Sequence, residues 1–109
     1  MSNLLKKTQA MNDLLDRYEL LLTKRQLDVM NLYYKEDLSY QEIADDLGIS
    51  KSAIYDIIKR VTLNLSEYEE KLSLVKKHYQ QEAFLEALKA LESDEVDQLI
   101  KQYEEENNG

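Results

Sequence analysis

The sequence predicts an all-α fold, and three observations support that prediction. The chain of 109 residues has 33% charged residues, two glycines and no proline, a composition typical of long helices with solvated polar faces. Apolar residues recur in alternating steps of three and four along most of the chain, the spacing of one face of a helix. Three helix-start signals follow one another before residue 51, and strand signals are absent.

We therefore expect a single helical domain over residues 1–109, with a hydrophobic content of 43% that suffices for a modest core. An N-terminal helix comes first, because an apolar stripe runs from Leu4 through Met11, Leu15 and Tyr18 to Leu22. A three-helix core should follow at 22–62. A long C-terminal helical extension then occupies 63–109.

The three start signals each place a capping side chain before a helix. Thr23 with Gln26 and Ser39 with Glu42 have the spacing of a capping box, in which each pair satisfies two free backbone amides. Ser50 is the third cap. The predicted helices are 24–34, 40–47 and one that starts near residue 51.

The second and third of these helices have the spacing of a helix-turn-helix. Ala44 is small where the helices cross closely, and Gly48 can adopt the positive φ of a tight turn. The expected structural positions are Ile43, Ala44, Leu47, Gly48, Ile49 and Ile54.

The second helix of this motif should present a polar face that reads a DNA groove. The candidate DNA-binding residues are Lys51, Ser52, Ala53, Tyr55, Asp56, Lys59 and Arg60. We expect Lys51 and Lys59 on phosphates and Ser52 or Tyr55 near base edges or sugars. The alternative is an ordinary solvated face, on which Arg60 pairs with Asp56.

From Ile54 to Tyr79 the apolar seam is unbroken, which predicts one long helix. A break at Ser66 is the alternative, because this serine begins a further capping-box pattern. The register fails at Glu82, which indicates a bend or a new helix, and Ser93 looks like the cap of a last helix.

The predicted long helix, about 45 Å for 30 residues, exceeds what the three-helix core can cover. We therefore expect a homodimer through the C-terminal helices, with Tyr79, Phe84 and Tyr103 buried between the copies. The alternative is a monomer that folds its own tail back.

Charge and composition exclude several classes of function. The net charge is −8 and the acid is concentrated after residue 65, which argues against strong nonspecific DNA binding. The sequence lacks cysteine, and its lone His78 has no metal-ligand pattern around it. Without a nucleophile–base pair or a phosphate-binding glycine loop, we expect no enzymatic activity, cofactor or small-molecule substrate.

No export signal or membrane span is recognisable, so a cytoplasmic location without membrane attachment is expected.

Two resemblances sharpen this interpretation. Residues 22–62 resemble region 4 of bacterial sigma factors through LTKRQ at 22–26, LSYQEIA at 38–44 and LGIS at 47–50. The recognition helix departs from that pattern, with Tyr55, Asp56 and Ile57 where sigma factors tend to carry small and basic residues.

Nearly the whole chain resembles the YlxM-like family of helix-turn-helix proteins, through SKSAIYDIIKR at 50–60 and YEEKL at 68–72. This resemblance implies a small bacterial protein encoded beside components of the signal recognition particle. It implies either a DNA-binding regulator or a protein or RNA adaptor of that pathway.

Overall fold

The computed structural model describes residues 3–107, except for the side chain of Leu4, which is the first position of the predicted N-terminal stripe. The helices are α1 (Asn3–Tyr18), α2 (Lys24–Tyr34), α3 (Tyr40–Leu47), α4 (Lys51–Leu72), α5 (Leu74–Lys89) and α6 (Asp94–Asn107), with a 3₁₀ turn at Glu19–Leu21. No strand occurs between residues 3 and 107, so the prediction of an all-α helix-turn-helix fold is confirmed. Within the same residues, no helix combines the length and the apolarity that crossing a bilayer requires.

Helices α2 and α3 begin where the sequence predicts, because both capping boxes form. The Thr23 amide donates to Gln26 Oε1 at 3.0 Å, and the Gln26 amide donates to Thr23 Oγ1 at 3.2 Å. The Ser39 amide donates to Glu42 Oε1 at 3.0 Å, and the Glu42 amide donates to Ser39 Oγ at 3.1 Å. Each box satisfies two amides that the first turn leaves free.

The chain forms two compact units, which we call the core unit (up to Val75) and the C-terminal unit (from Lys76). In the core unit α1, α2 and α3 all pack against α4. The helix-turn-helix segment therefore shares one core with α1 and with the second half of α4. The buried side chains of this core are Leu15, Tyr18, Val29, Met30, Ile43, Ala44, Ile54, Ile58, Val61 and Leu65.

Helix α4 ends at Leu72, so the predicted continuity through Tyr79 is wrong, and so is the alternative break at Ser66. Ser73 adopts the left-handed conformation, with φ 54° and ψ 33°. This residue ends the helix although the apolar seam continues through it.

The break at Ser73 is stabilised by a hydrogen-bonded group that we call the Tyr18 junction. The Tyr18 hydroxyl donates to Glu69 Oε1 at 2.7 Å and accepts from the Leu74 amide at 3.0 Å. The Val75 amide donates to Glu69 Oε1 at 3.0 Å. Two side chains therefore satisfy the first free amides of α5, as a cap does. Burial, followed by the hydrogen bond to Glu69, raises the pKa of Tyr18 above its usual value.

The C-terminal unit contains most of α5 and all of α6. Helix α5 passes through Glu82 without interruption, so the new helix that was one of the two possibilities predicted there is wrong. The chain turns at residues 90–93 instead, where Glu92 has φ 52°. Ser93 caps α6 as predicted, since its hydroxyl accepts from the Val96 amide at 3.4 Å.

Candidate nucleic-acid interface

The candidate interface begins at the tight turn between α3 and α4. Gly48 has φ 69°, and its amide donates to the Ala44 carbonyl at 2.9 Å. The Ile49 amide donates to the same carbonyl at 3.2 Å. A Cβ atom at Gly48 would meet nothing within 4 Å, so the turn needs glycine for its backbone conformation and not for space.

The inner face of α4 fixes the rotation of the helix about its axis. Ile54 and Val61 are fully buried and Ile58 nearly so, which places one residue per turn in the core. Ile43 and Ala44 of α3 are buried with them. The remaining predicted structural residues, Leu47 and Ile49, are partly buried and pack against the same core. Residues on the opposite side of α4 therefore face away from the core.

The predicted DNA-binding residues lie mostly on this outer face. Exposed side chains are those of Lys51, Ser52, Tyr55, Asp56, Lys59 and Arg60, while Ala53 is half-buried. The Ser50 hydroxyl accepts from the Ala53 amide at 3.1 Å and lies 3.4 Å from the Ser52 hydroxyl. The first turn of α4 is thus capped, and it presents Lys51 and Ser52 to solvent.

The cations of this face have no carboxylate partner among the described residues. Ion pairs within residues 3–107 include Lys35 with Asp16 at 2.9 Å and Lys89 with Glu104 at 3.4 Å, and none joins a cation of this face to a carboxylate of the described residues. The pairing of Arg60 with Asp56 that the sequence suggested is therefore wrong. One turn separates the two side chains, but both are exposed, and solvation competes well with an exposed pair.

Four tyrosines join α2, α3 and α4 in a group that we call the tyrosine ladder. Tyr33 and Tyr34 meet edge to face at 4.8 Å between ring centroids, and Tyr33 stacks on Tyr40 at 5.1 Å. Tyr40 in turn meets Tyr55 edge to face at 6.0 Å. The ladder thus runs from the edge of the core to Tyr55, which is 49% exposed.

Packing within the tyrosine ladder shifts the pKa values of two of its partly buried hydroxyl groups. The hydrogen bond with Tyr33, followed by burial, raises the pKa of Tyr40. Burial raises the pKa of Tyr34, against the hydrogen bond with Thr62, which lowers it. Both rings therefore stay neutral at physiological pH.

Sequence reasoning found Tyr55 but missed the ladder beneath it. The four rings come from three helices, and the spacing rules that detect neighbours act only within one helix. The abundance of tyrosine was visible in the sequence, with eight in the chain, but it does not indicate which rings meet.

Exposed carboxylates lie on both helices of the helix-turn-helix. Asp45 and Asp46 are exposed on α3, and Asp45 accepts from Gln41 Nε2 at 2.9 Å. Asp56 adds a carboxylate on α4 itself. No cluster of three or more potential metal ligands occurs in the described part of the chain. Within the helix-turn-helix, the exposed cations that could contact an anion lie on α4, at Lys51, Lys59 and Arg60.

Comparison with known proteins identifies the family. The family model described as "UPF0122: Putative helix-turn-helix protein, YlxM / p13 like" matches residues 5–106. UPF0122 proteins from Bacillus cereus (strain Q1) and Bacillus anthracis (strain A0248) are each 46% identical over 101 residues, which cover 91% of this chain and 92% of each relative. The chain therefore belongs to the UPF0122 family of YlxM/p13-like helix-turn-helix proteins.

Proposed function

We propose that this protein is a DNA-binding regulator that inserts the first turns of α4 into the major groove of duplex DNA. The observation that carries the proposal is the outer face of α4, which is held in a fixed orientation by a buried inner face. On it, Lys51, Lys59 and Arg60 are exposed without an intramolecular ion pair among the described residues. Burial on one side and unpaired cations on the other are what a recognition helix requires.

The residues of this face divide into two roles. Lys51 and Lys59 lie two turns apart and would contact phosphates, which position the protein without reading sequence. Ser52 and Tyr55 would contact base edges or sugars. Asp56 repels phosphate but can accept a hydrogen bond from the amino group of cytosine. Such a face favours selected sequences over DNA in general.

The acidic charge on the rest of the protein also favours selected sequences over DNA in general. With a net charge of −8, long-range attraction to DNA is weak, so affinity depends on a few short contacts. A binding role without catalysis agrees with membership of a helix-turn-helix family.

Selection of bound duplexes from a genomic fragment library, followed by salt titration, tests the proposal. Lys59→Ala should weaken binding to all selected sequences alike and reduce the slope of log K against log salt by about one. The matched control is Lys71→Ala, which removes the same charge from the exposed last turn of α4 and should leave the slope unchanged. Equal effects of the two substitutions, or no duplex binding at low salt, would contradict the proposal.

A second candidate is an RNA or protein adaptor of the signal recognition particle pathway, as the YlxM-like resemblance implies. The observation that favours it is the exposed ring of Tyr55 at the end of the tyrosine ladder. An exposed aromatic ring can stack on unpaired RNA bases while neighbouring cations contact the RNA backbone.

Parallel titrations with duplex DNA and with the particle RNA separate the two candidates. Tyr55→Leu should weaken RNA binding by about tenfold while Tyr55→Phe retains it, because stacking needs the ring and not the hydroxyl. If the RNA does not bind, and a pull-down recovers neither the particle's GTPases nor its RNA, the adaptor candidate is lost.

The predicted homodimer through the C-terminal helices bears on both candidates, because a two-fold DNA site needs two copies. Light scattering on the full chain measures it directly, and a mass of one chain at all concentrations would exclude it.

A further inference from the structure

The C-terminal unit contains an apolar groove between α5 and α6 that nothing within this unit covers. The groove has a volume of about 420 Å³, and its walls include Phe84, Leu88, Val96, Leu99 and Tyr103. Phe84 is 52% and Leu99 66% exposed, and Ile100 is the one buried side chain among the described residues of the unit. Leu91, in the turn that follows α5, is 64% exposed.

The groove has a defined shape because the two helices are joined at its sides. Gln81 Nε2 donates to the Tyr103 hydroxyl, and Lys89 Nζ lies 3.4 Å from Glu104 Oε1. A unit of fewer than about 40 residues with so small a core gains much of its stability from whatever covers its apolar surface. Binding of another molecule in the groove would therefore stabilise the unit.

The net charge of the C-terminal unit indicates which kind of molecule would bind in the groove. Four lysines and nine carboxylates follow residue 75. A second copy of this unit, the occupant that the homodimer prediction implies, would bring two strongly acidic bodies together, which costs free energy and disfavours that occupant. A cationic partner would be attracted instead.

Carboxylates also lie at the edge of the groove itself. Glu95 precedes Leu99 by one turn and Glu106 follows it by two, so both lie on the same face of α6 as this exposed leucine. Gln102 Nε2 donates to Glu106 Oε1 at 3.3 Å, which orients that carboxylate. An apolar channel with acidic edges matches a helix with an apolar stripe flanked by lysines or arginines.

We propose that the α5–α6 groove binds a basic amphipathic helix of a partner protein, independently of any nucleic acid at α4. The apolar stripe of the partner fills the groove beside Phe84 and Leu99. Its flanking cations pair with Glu95 and Glu106. This surface gives the protein a second binding site on a different part of the chain from the recognition helix.

Fluorescence anisotropy with the full chain and labelled peptides tests the proposal. The probe is a leucine–lysine peptide of about 18 residues, long enough to form a helix, with leucines at i, i+3, i+4 and i+7. A leucine–glutamate peptide with the same stripe and a scrambled leucine–lysine peptide serve as controls. We expect the basic amphipathic peptide to bind at least about tenfold more tightly than either control.

Matched variants locate the site. Leu99→Glu should weaken binding by at least about tenfold, because it places an unpaired carboxylate against the apolar stripe. Glu95→Gln with Glu106→Gln should weaken it by about threefold to tenfold and reduce its salt dependence. Glu86→Gln with Glu105→Gln removes the same charge from the opposite faces of α5 and α6 and should have no effect.

Three results would overturn the proposal. Equal binding of the basic and scrambled peptides would show simple charge attraction, and equal effects of the two double variants would place the site elsewhere. Failure of every peptide to bind would mean that the groove is not open to a partner. A dimer in light scattering that Leu99→Glu converts to a monomer would make a second copy the occupant.

Discussion

The core unit and the C-terminal unit are both helical, yet they bury their apolar residues to very different extents. Ten side chains form the buried core of the first unit, around the inner face of α4. In the second, Ile100 alone is buried among the described residues, and Phe84, Leu91 and Leu99 remain more than half exposed. Apolar periodicity therefore produces helices in both regions but a closed core in only one of them.

The cause of the difference is the number of helices that share each core. Three helices converge on α4 in the core unit, so its apolar face is buried from Ile54 to Leu65. In the C-terminal unit, one helix faces one other, and two helices can cover only part of each other's apolar surface. The apolar face of α4 in the core unit is packed like the interior of a stable domain. The apolar faces of the C-terminal unit are exposed in the manner of a binding surface.

The largest expected effect that tests this comparison comes from a pair of leucine truncations. Leu65→Ala removes a fully buried side chain of the core unit and should lower the free energy of unfolding by about 2–5 kcal/mol. Leu99→Ala removes the same atoms from a 66% exposed position and should cost less than about 1 kcal/mol. Urea denaturation measures both. A similar cost at the two positions would mean that the C-terminal unit is covered in solution.

A smaller effect is expected at the Tyr18 junction, where the core unit ends. Tyr18→Phe removes the hydroxyl that accepts from the Leu74 amide, and it should cost about 1–2 kcal/mol. The Leu74 amide should then exchange faster with solvent. Tyr68→Phe, whose ring lies 5.9 Å from that of Tyr18, is the control and should change stability by less than about 0.5 kcal/mol. Unchanged exchange at Leu74 would show that the junction does not hold the start of α5.

Gly48→Ala should destabilise the core unit by about 1 kcal/mol, because φ 69° is unfavourable for a residue with a Cβ atom. The added methyl group meets no atom within 4 Å, so the backbone alone accounts for the cost. Gly48→Asn should cost less, since asparagine tolerates this conformation better. If alanine and asparagine proved equally harmful in thermal unfolding, the backbone explanation would fail.

The smallest effect concerns pH and the capping box of α3. Hydrogen bonds from the Ser39 amide and then from its side chain lower the pKa of Glu42. A depressed pKa in the folded state means that this contribution to stability is present above pH 4.5 and is lost as pH falls through the folded-state value. Glu42→Gln keeps an acceptor, as Gln26 does in the box of α2, without the titration. The stability difference between wild type and variant should therefore shrink on acidification, and a constant difference would contradict the assignment.

Local rules were enough to predict the helix-turn-helix, because each of its signals acts within one turn of the chain. Thr23, Ser39 and Ser50 each cap a helix at the predicted residue, and Gly48 closes α3 in the left-handed conformation. The rotation of α4 about its axis, which places its polar face outward, could be predicted from the period of its apolar residues alone. The contact of its outer face with DNA remains a prediction.

The sequence by itself determined where α2, α3, α4 and α6 start, which face of α4 is apolar and where the acidic charge lies. Tertiary structure contributed to the break at Ser73, because the hydroxyl that accepts from the Leu74 amide belongs to Tyr18 on α1. Tertiary structure also brought together the tyrosine ladder from three helices. The reason is the same in both cases: a capping box or an apolar face depends on neighbours within a few residues, whereas these contacts join different helices.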